Sequence, residues 1–470
     1  MTTDVAPPLG AATEATAPPV PNQDTEHWYA LRRAWLEGDG LTKASFVVHG
    51  LGNLARKQFV KGGLWLAIEV AFLGWYLTTG LSYLAALPGL GGDGSQERVQ
   101  VDGFWVYQTS PPSVVVLLQG VLAVVALIAF FWWATIAGRS AYKAQTQVAE
   151  HGRARSLRGD LTALTHEDAP WLLMSLPTAG IVVFTILPLV FMISMAFTSY
   201  DSANAQYFSW VGLDNFATVL SDNGGAVNGR IFLQVLIWTL VWAFFATFLN
   251  FFLGMFLAML INRRTTRGKG FWRAVFSLSI AVPQFVTLLV VRTMLQPEGI
   301  INRLLLDAGL IDSALPFFTD VTWARVTVII VNLWIGIPYT IMQITGILQN
   351  IPGELYEAAR IDGANVWHTF RYITMPYMIF VMTPYLITTF TANVNNFNVI
   401  YLLSGGGPTP VGASAGSTDL LITWLYKLTV DRGDFNLGAV IGILTFVVLA
   451  VVALVTYRRS GSYQNEEGFR

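Results

Sequence analysis

Residues 354–376 read ELYEAARIDGANVWHTFRYITMP, a polar, helix-prone segment between two long apolar stretches. Glu357 through Arg360 are strong helix formers, and Ala358 and Ala359 are small enough for another surface to approach closely. Gly363 can take the positive φ that ends a helix and starts a turn. Ala364 to Tyr372 resumes a helical pattern, and Pro376 is expected to stop it before the next apolar stretch. The segment therefore predicts two short helices outside a bilayer, presenting a small-residue face to a partner. The plainer alternative is an ordinary amphipathic interfacial loop.

The rest of the chain supplies the bilayer context. Of 470 residues, 54% are hydrophobic and 12% charged, where a soluble domain carries about a quarter charged residues. The net charge of −1 argues against a nucleic-acid partner, which would require a basic excess. The absence of cysteine excludes disulfides and thiolate metal sites.

Eight stretches are long enough to cross roughly 30 Å of hydrocarbon, which takes about 20 helical residues. They lie near 62–87, 112–137, 171–197, 231–261, 272–295, 326–349, 377–403 and 436–457. An all-α, polytopic transmembrane helical bundle is the fold class this predicts. Lysine and arginine set its orientation. Of the 28 in the chain, 21 fall in the connections on one side and 6 on the other, with Arg292 inside a span. Both termini and the 354–376 loop are thus expected in the cytoplasm.

The expected organisation begins with a disordered tail, 1–25, rich in Pro, Ala and Thr and lacking the basic start of a signal peptide. Cytoplasmic or interfacial amphipathic helices follow over 26–61, then two transmembrane helices over 62–137. A cytoplasmic basic loop, 138–170, leads into a core of six transmembrane helices over 171–457, and a cytoplasmic tail, 458–470, ends the chain.

Polar groups in hydrocarbon are costly, so their placement carries information. Asn332, Gly336, Tyr339 and Gln343 fall at i, i+4, i+7 and i+11 of the sixth span, on one helical face. Thr389, Asn393 and Asn396 do the same in the seventh. Gln284 follows Pro283 in the fifth, and Pro338 interrupts the sixth. Broken helices around a polar midplane site are a transporter device. The cluster is uncharged: amides offer donors and an acceptor, matching the hydroxyls of a polyol, and a tyrosine ring can stack on a sugar. The alternative is that these amides only bond helix to helix. Glu69, in the first span, reads as a carboxylate partnered on a neighbouring subunit or snorkelling near the inner interface, or as a proton or ion site.

The 354–376 segment resembles the coupling ("EAA") loop of binding-protein-dependent ABC importer permeases, through Glu357, Ala358, Ala359, Gly363, Ile373 and Pro376, with Met375 where leucine is usual. Asn332–Pro376, including NLWIGIPY, and the stretch NNFNVIYLLSGGGP resemble the larger permease subunit of maltose/maltodextrin importers. Trp210–Phe216 and Gly405–Pro408 resemble turns that cap spans in sugar-importer permeases.

The resemblance implies a type I ABC importer permease fold in the inner (cytoplasmic) membrane and import of a maltose-type oligosaccharide. It implies a substrate site at Gln284, Asn332, Gly336, Tyr339, Thr389, Asn393 and Asn396, and ATPase coupling through Glu357, Ala358, Ala359, Asp362, Gly363 and Pro376. Gln284 and Thr389 stand where the best-known form has serine.

The implied partners are a second permease subunit forming a heterodimer, two ATPase subunits that would bind ATP and Mg, an extracytoplasmic sugar-binding protein, and membrane lipid. No catalytic residue, metal or cofactor is expected in this chain itself. It has no G-x-x-x-x-G-K-[ST] phosphate loop, and Leu403–Gly407 only mimics an ABC signature. Its five histidines lack metal-ligand spacing. The competing readings are a permease for another neutral solute such as trehalose or a glycerol derivative, an ion-coupled secondary transporter, and a sensor of the binding protein.

Overall fold

A computed structural model describes residues 31–91, 96–101, 104–109, 111–166, 168–222, 224–263 and 265–459. The expected tail 1–25, and the C-terminal tail beyond residue 459, lie outside them. Among the described residues seven helices are long and apolar enough to cross a membrane: Phe59–Gly89, Ser113–His151, Ala169–Met195, Gly229–Asn262, Val321–Gln349, Val366–Leu403 and Phe435–Val455.

The fifth expected span is not one helix, which corrects the count of eight. It is two shorter helices, Lys269–Ala281 and Gln284–Met294, separated at Val282 and Pro283. Proline lacks the N–H that would continue the ladder, and its predecessor is pushed to extended backbone; Val282 sits at φ −83°, ψ 125°.

Pro376 behaves differently from expectation. The helix does not stop there but runs from Val366 through a π turn at Phe370–Thr374 into Met375–Val394. Pro376 lies in the first turn after that π turn, where the locally widened ladder accommodates its missing donor.

Two further expectations are revised. The basic loop 138–170 is mostly helix: Ser113–His151 runs far beyond the apolar stretch, and Leu157–Thr165 follows. The connection after the first span carries an antiparallel hairpin, Gln96–Val101 with Phe104–Thr109, the one sheet among the described residues.

The chain forms two compact units, one of Met1–Leu87 with Leu118–Pro188, the other of Pro88–Leu117 with Leu189–Arg470. In the first, the short helices Gly40–Ala44 and Leu51–Ala55 are tied to the polar continuation of Ser113–His151. Gln145 accepts from the Asp39 N–H at 3.0 Å and the Thr42 hydroxyl at 2.8 Å. Asn53 donates to Ser140 at 3.2 Å, and Arg56 pairs with Asp39 at 2.7 Å. Glu69 is buried and accepts the His49 backbone N–H at 2.6 Å. Its partner is therefore in the same chain, and its task here is to hold a turn. The His49 ring packs against Phe130 at 4.9 Å with the planes tilted by 35°, and burial pushes its pKa below the usual value.

Counting the broken span as the fifth makes Val321–Gln349 the sixth helix and Val366–Leu403 the seventh. In the second unit the fourth, Gly229–Asn262, and the sixth approach closely through reciprocal small residues. Gly254 of the fourth faces Thr340, and Gly336 of the sixth faces Asn250. One apolar layer gathers Trp238, Trp242, Leu288, Val328 and Leu403. A second gathers Phe251, Met255, Ile344 and Met378. The residues between these layers along both helices are where polar side chains accumulate.

Candidate functional site

A cavity of about 210 Å³ occupies that interval. The sixth helix contributes Asn332, Ile335, Gly336, Tyr339 and Thr340, a single face near its middle. The fourth contributes Ala246, Thr247, Asn250 and Phe251, and the seventh contributes Tyr385, Leu386, Thr389 and Asn393. Gln284 reaches the cavity from the first residue of the helix that restarts after the Pro283 break. A π turn at Phe245–Leu249 adds a residue to the fourth helix beside this cavity.

Six of the seven residues singled out in the sequence line the cavity: Gln284, Asn332, Gly336, Tyr339, Thr389 and Asn393. Asn396 does not. Helix Met375–Val394 ends at Asn395, and Asn396 becomes the cap of Phe397–Leu403, accepting from the Val399 N–H at 3.3 Å. Its amide nitrogen donates to Asn393 Oδ1 at 3.4 Å, one step behind the cavity. Gln343, on the same face as Asn332 by count, is exposed and is not among the lining residues.

Thr247, Asn250, Thr340 and Tyr385 were not anticipated, although isolated Thr247 and Asn250 at i and i+3 of an apolar helix were a readable signal. The lining groups are already partly paired. Asn393 donates to Thr247 Oγ1 at 3.0 Å, and its backbone carbonyl accepts from Trp242 Nε1 at 3.1 Å. Thr340 donates to the Gly336 carbonyl at 3.2 Å. Asn332 is buried on the cavity wall, whereas Tyr339 is 48% exposed with its ring accessible. Among the described residues no carboxylate or basic group lines the space. The arrangement suits a neutral, hydroxyl-rich molecule and offers an ion or a proton no charged partner.

The second candidate region, 354–376, is a helix–turn–helix. Gly353–Ile361 ends at Asp362, and Gly363 takes φ +71°. The Ala364 N–H returns to the Ala359 carbonyl at 2.9 Å, closing the turn. Asn365 caps the next helix through the His368 N–H at 2.8 Å, and Tyr356 meets Thr374 at 3.0 Å, tying the two arms together. Glu357, Ala358, Asp362, Gly363 and Pro376 are exposed and Ala359 is half-buried. Beside them Ile361, Val366, Trp367 and Tyr372 expose more than half of their surface, an apolar patch at the end of the unit.

The opposite end of the sixth helix is closed by Ser404–Leu420. Gly405 and Gly406 have φ +62° and +80°, and the loop folds over Asp419, which pairs with Lys427 at 2.7 Å. The Trp210–Phe216 turn is held by Asn215, which donates to the carbonyls of Ala196 and Thr198 at 2.9 and 2.8 Å.

Residues 250–461, which contain most of this site and both of its flanking loops, match the family described as binding-protein-dependent transport system inner membrane component. The galactooligosaccharides transport system permease protein GanP of Bacillus subtilis is 35% identical over 428 residues, covering 89% of this chain and 97% of that protein. The maltodextrin transport system permease protein MdxF of the same organism is 31% identical over 441 residues, covering 90% and 95%. Among solved structures, a bacterial ABC transporter involved in alginate import superposes with a TM-score of 0.53 at 22% identity, covering 64% of this chain and 97% of that one. At that identity the likeness concerns the fold. The chain is a multi-pass membrane protein and belongs to the family of binding-protein-dependent transport system inner membrane components, the permease subunits of sugar ABC importers.

Proposed function

We propose that this chain forms half of the path by which an ATP-driven importer carries a neutral oligosaccharide into the cytoplasm. The observation that carries the reading is the uncharged cavity midway along the sixth helix, where amides and hydroxyls from three helices and a helix break face one space beside the open ring of Tyr339. Gln284, Asn332, Gly336, Tyr339, Thr389 and Asn393 form the passage site, with Asn396 supporting Asn393 from behind.

The relatives are named for galactooligosaccharides and for maltodextrin, so the substrate class is an oligosaccharide, with a maltose-type sugar one member of it. The helix–turn–helix Glu354–Pro376, with its exposed Ile361, Val366, Trp367 and Tyr372, would be gripped by one of two ATPase subunits. A second permease subunit completes the path, and an extracytoplasmic binding protein delivers the sugar to the end bearing Ser404–Leu420. The excess of Lys and Arg on the other side supports a cytoplasmic position for both termini.

The test is ATP-dependent uptake of maltodextrins and galactooligosaccharides into vesicles holding this chain with its second permease, ATPase and binding-protein partners. Asn332→Leu removes an amide of the cavity wall while keeping its branched shape, and should lower uptake about tenfold with assembly unchanged. ATP-independent uptake by this chain alone would make it a secondary transporter instead.

A further inference from the structure

Among the described residues lining the cavity, one fully buried side-chain polar atom is left without a hydrogen-bond partner. Asn250 is 8% exposed, and its Oδ1 is buried without a hydrogen-bond partner. The orientation of the amide is fixed by its other end: Nδ2 donates to the Ala246 carbonyl at 2.7 Å. A carbonyl can only accept, so the NH₂ must face Ala246 and the oxygen must point elsewhere. Asn250 lines the cavity, and opposite it stands Gly336, where a Cβ would lie 2.6–2.9 Å from the atoms of the Asn250 amide. The glycine thus leaves the gap in which that amide fits. By contrast, the Asn393 amide is occupied at both ends, by Thr247 and Asn396.

A buried acceptor left open is destabilising unless something supplies a donor. The oxygen lies under the cavity wall against Gly336, so a donor reaches it from the cavity once that wall shifts, and a carbohydrate brings hydroxyls. We propose that Asn250 is a specificity-determining residue: its side-chain carbonyl accepts a hydrogen bond from one hydroxyl of the sugar in transit. This rests on the oligosaccharide reading above. Gly336 serves that contact by making room for the Asn250 amide. A site built to accept from a hydroxyl rejects analogues that lack it far more strongly than an apolar wall could.

The experiment uses the complete transporter in vesicles, with ATP, binding protein, the imported oligosaccharide and a set of its monodeoxy analogues. Wild type should import the parent sugar at least about tenfold faster than the analogue lacking the hydroxyl that meets Asn250. Asn250→Leu should slow the parent by a similar factor and leave that single analogue nearly unchanged, so discrimination collapses at one hydroxyl and persists at the others. Gly336→Ala, which displaces the amide without replacing it, should collapse discrimination at the same hydroxyl, and it answers the question should Asn250→Leu fail to assemble. A uniform loss across all analogues in both variants, or no loss in either, overturns the assignment. Wild-type vesicles that import the parent sugar but show no preference among the analogues also overturn it, leaving the oligosaccharide reading intact. Failure to import any oligosaccharide overturns both.

Discussion

The loop Ser404–Leu420 and the cavity midway along the sixth helix handle polar groups in opposite ways. In the loop every strong group around Asp419 is answered. The carboxylate, fully buried, accepts from the Gly416 N–H at 2.7 Å, the Thr423 hydroxyl at 2.9 Å and Lys427 at 2.7 Å. The surrounding backbone is pinned in turn: Trp238 donates to the Thr418 carbonyl at 3.1 Å, and Arg325 donates to Ser417 at 3.0 Å while lying over the Trp238 ring. In the cavity the amides are paired to each other only in part, and Asn250 Oδ1 is not paired at all. A closed network fixes one geometry and has nothing left to offer a ligand, whereas an incomplete one is less stable alone and competent to bind. Substitutions in the loop should therefore act on folding, and those in the cavity on transport.

The largest effect is expected at Gly406. Its φ of +80° disfavours any side chain, and a Cβ would overlap the Asp419 carboxylate and come within about 2.5 Å of Lys427 Nζ. Gly406→Ala should lose more than about 4 kcal/mol, seen as a collapse in the yield of folded protein extracted from membranes. Near-normal yield would show the loop to be far softer than its bonding implies.

Lys427→Met comes next, with a loss of about 3–5 kcal/mol at neutral pH from the buried carboxylate left unpaired. Burial, the larger influence, raises the pKa of Asp419, and Lys427 holds part of that rise back. Without Lys427 the pKa rises further, so the folded variant holds its proton more tightly than the unfolded chain. That contribution is fully present below the ordinary carboxylate range and is lost as pH rises through the raised value. The thermal midpoint of the variant should accordingly approach that of wild type in acid and fall away toward neutrality. A gap independent of pH would contradict a buried, titrating Asp419.

The sequence showed the cavity-lining residues more clearly than the helix boundaries around them. Asn332, Gly336 and Tyr339 share a face because 3.6-residue periodicity holds across an unbroken helix. The same counting misplaced Asn396, since the helix ends at Asn395, φ −97° and ψ 22°, and a period cannot be carried across a break. Asn250 escaped notice because, with only Thr247 beside it, it forms no long polar stripe, and its place opposite Gly336 shows only in the fold. The charges of 138–170 correctly marked the end of an apolar stretch but not the end of a helix, because polarity reports solvent and helices extend into water. The hairpin was not anticipated, although Gln96–Val101 and Phe104–Thr109 are rich in β-prone residues. Pro283 and Pro376 show that proline alone does not decide a break. Pro283 follows extended backbone, while Pro376 opens an α-helix just after a π turn.

Gly363 supplies the smallest effect and the sharpest control. It shares a positive φ with Gly406, +71° against +80°, yet nothing lies within 4 Å of where its Cβ would sit. Only the backbone preference is then at stake, about 1–2 kcal/mol for a left-handed residue. Gly363→Ala should lower the thermal midpoint by a few degrees at most, and Gly363→Asn by less, because asparagine tolerates that region through local hydrogen bonding. If alanine at 363 were as damaging as alanine at 406, conformational strain and not the buried carboxylate would account for both. The contrast drawn between a closed polar network and an open one would then need another basis. If instead the two variants separate as expected while Gly363→Ala still lowers sugar-stimulated ATPase activity of the assembled transporter, the turn matters for transmitting motion and hardly at all for folding.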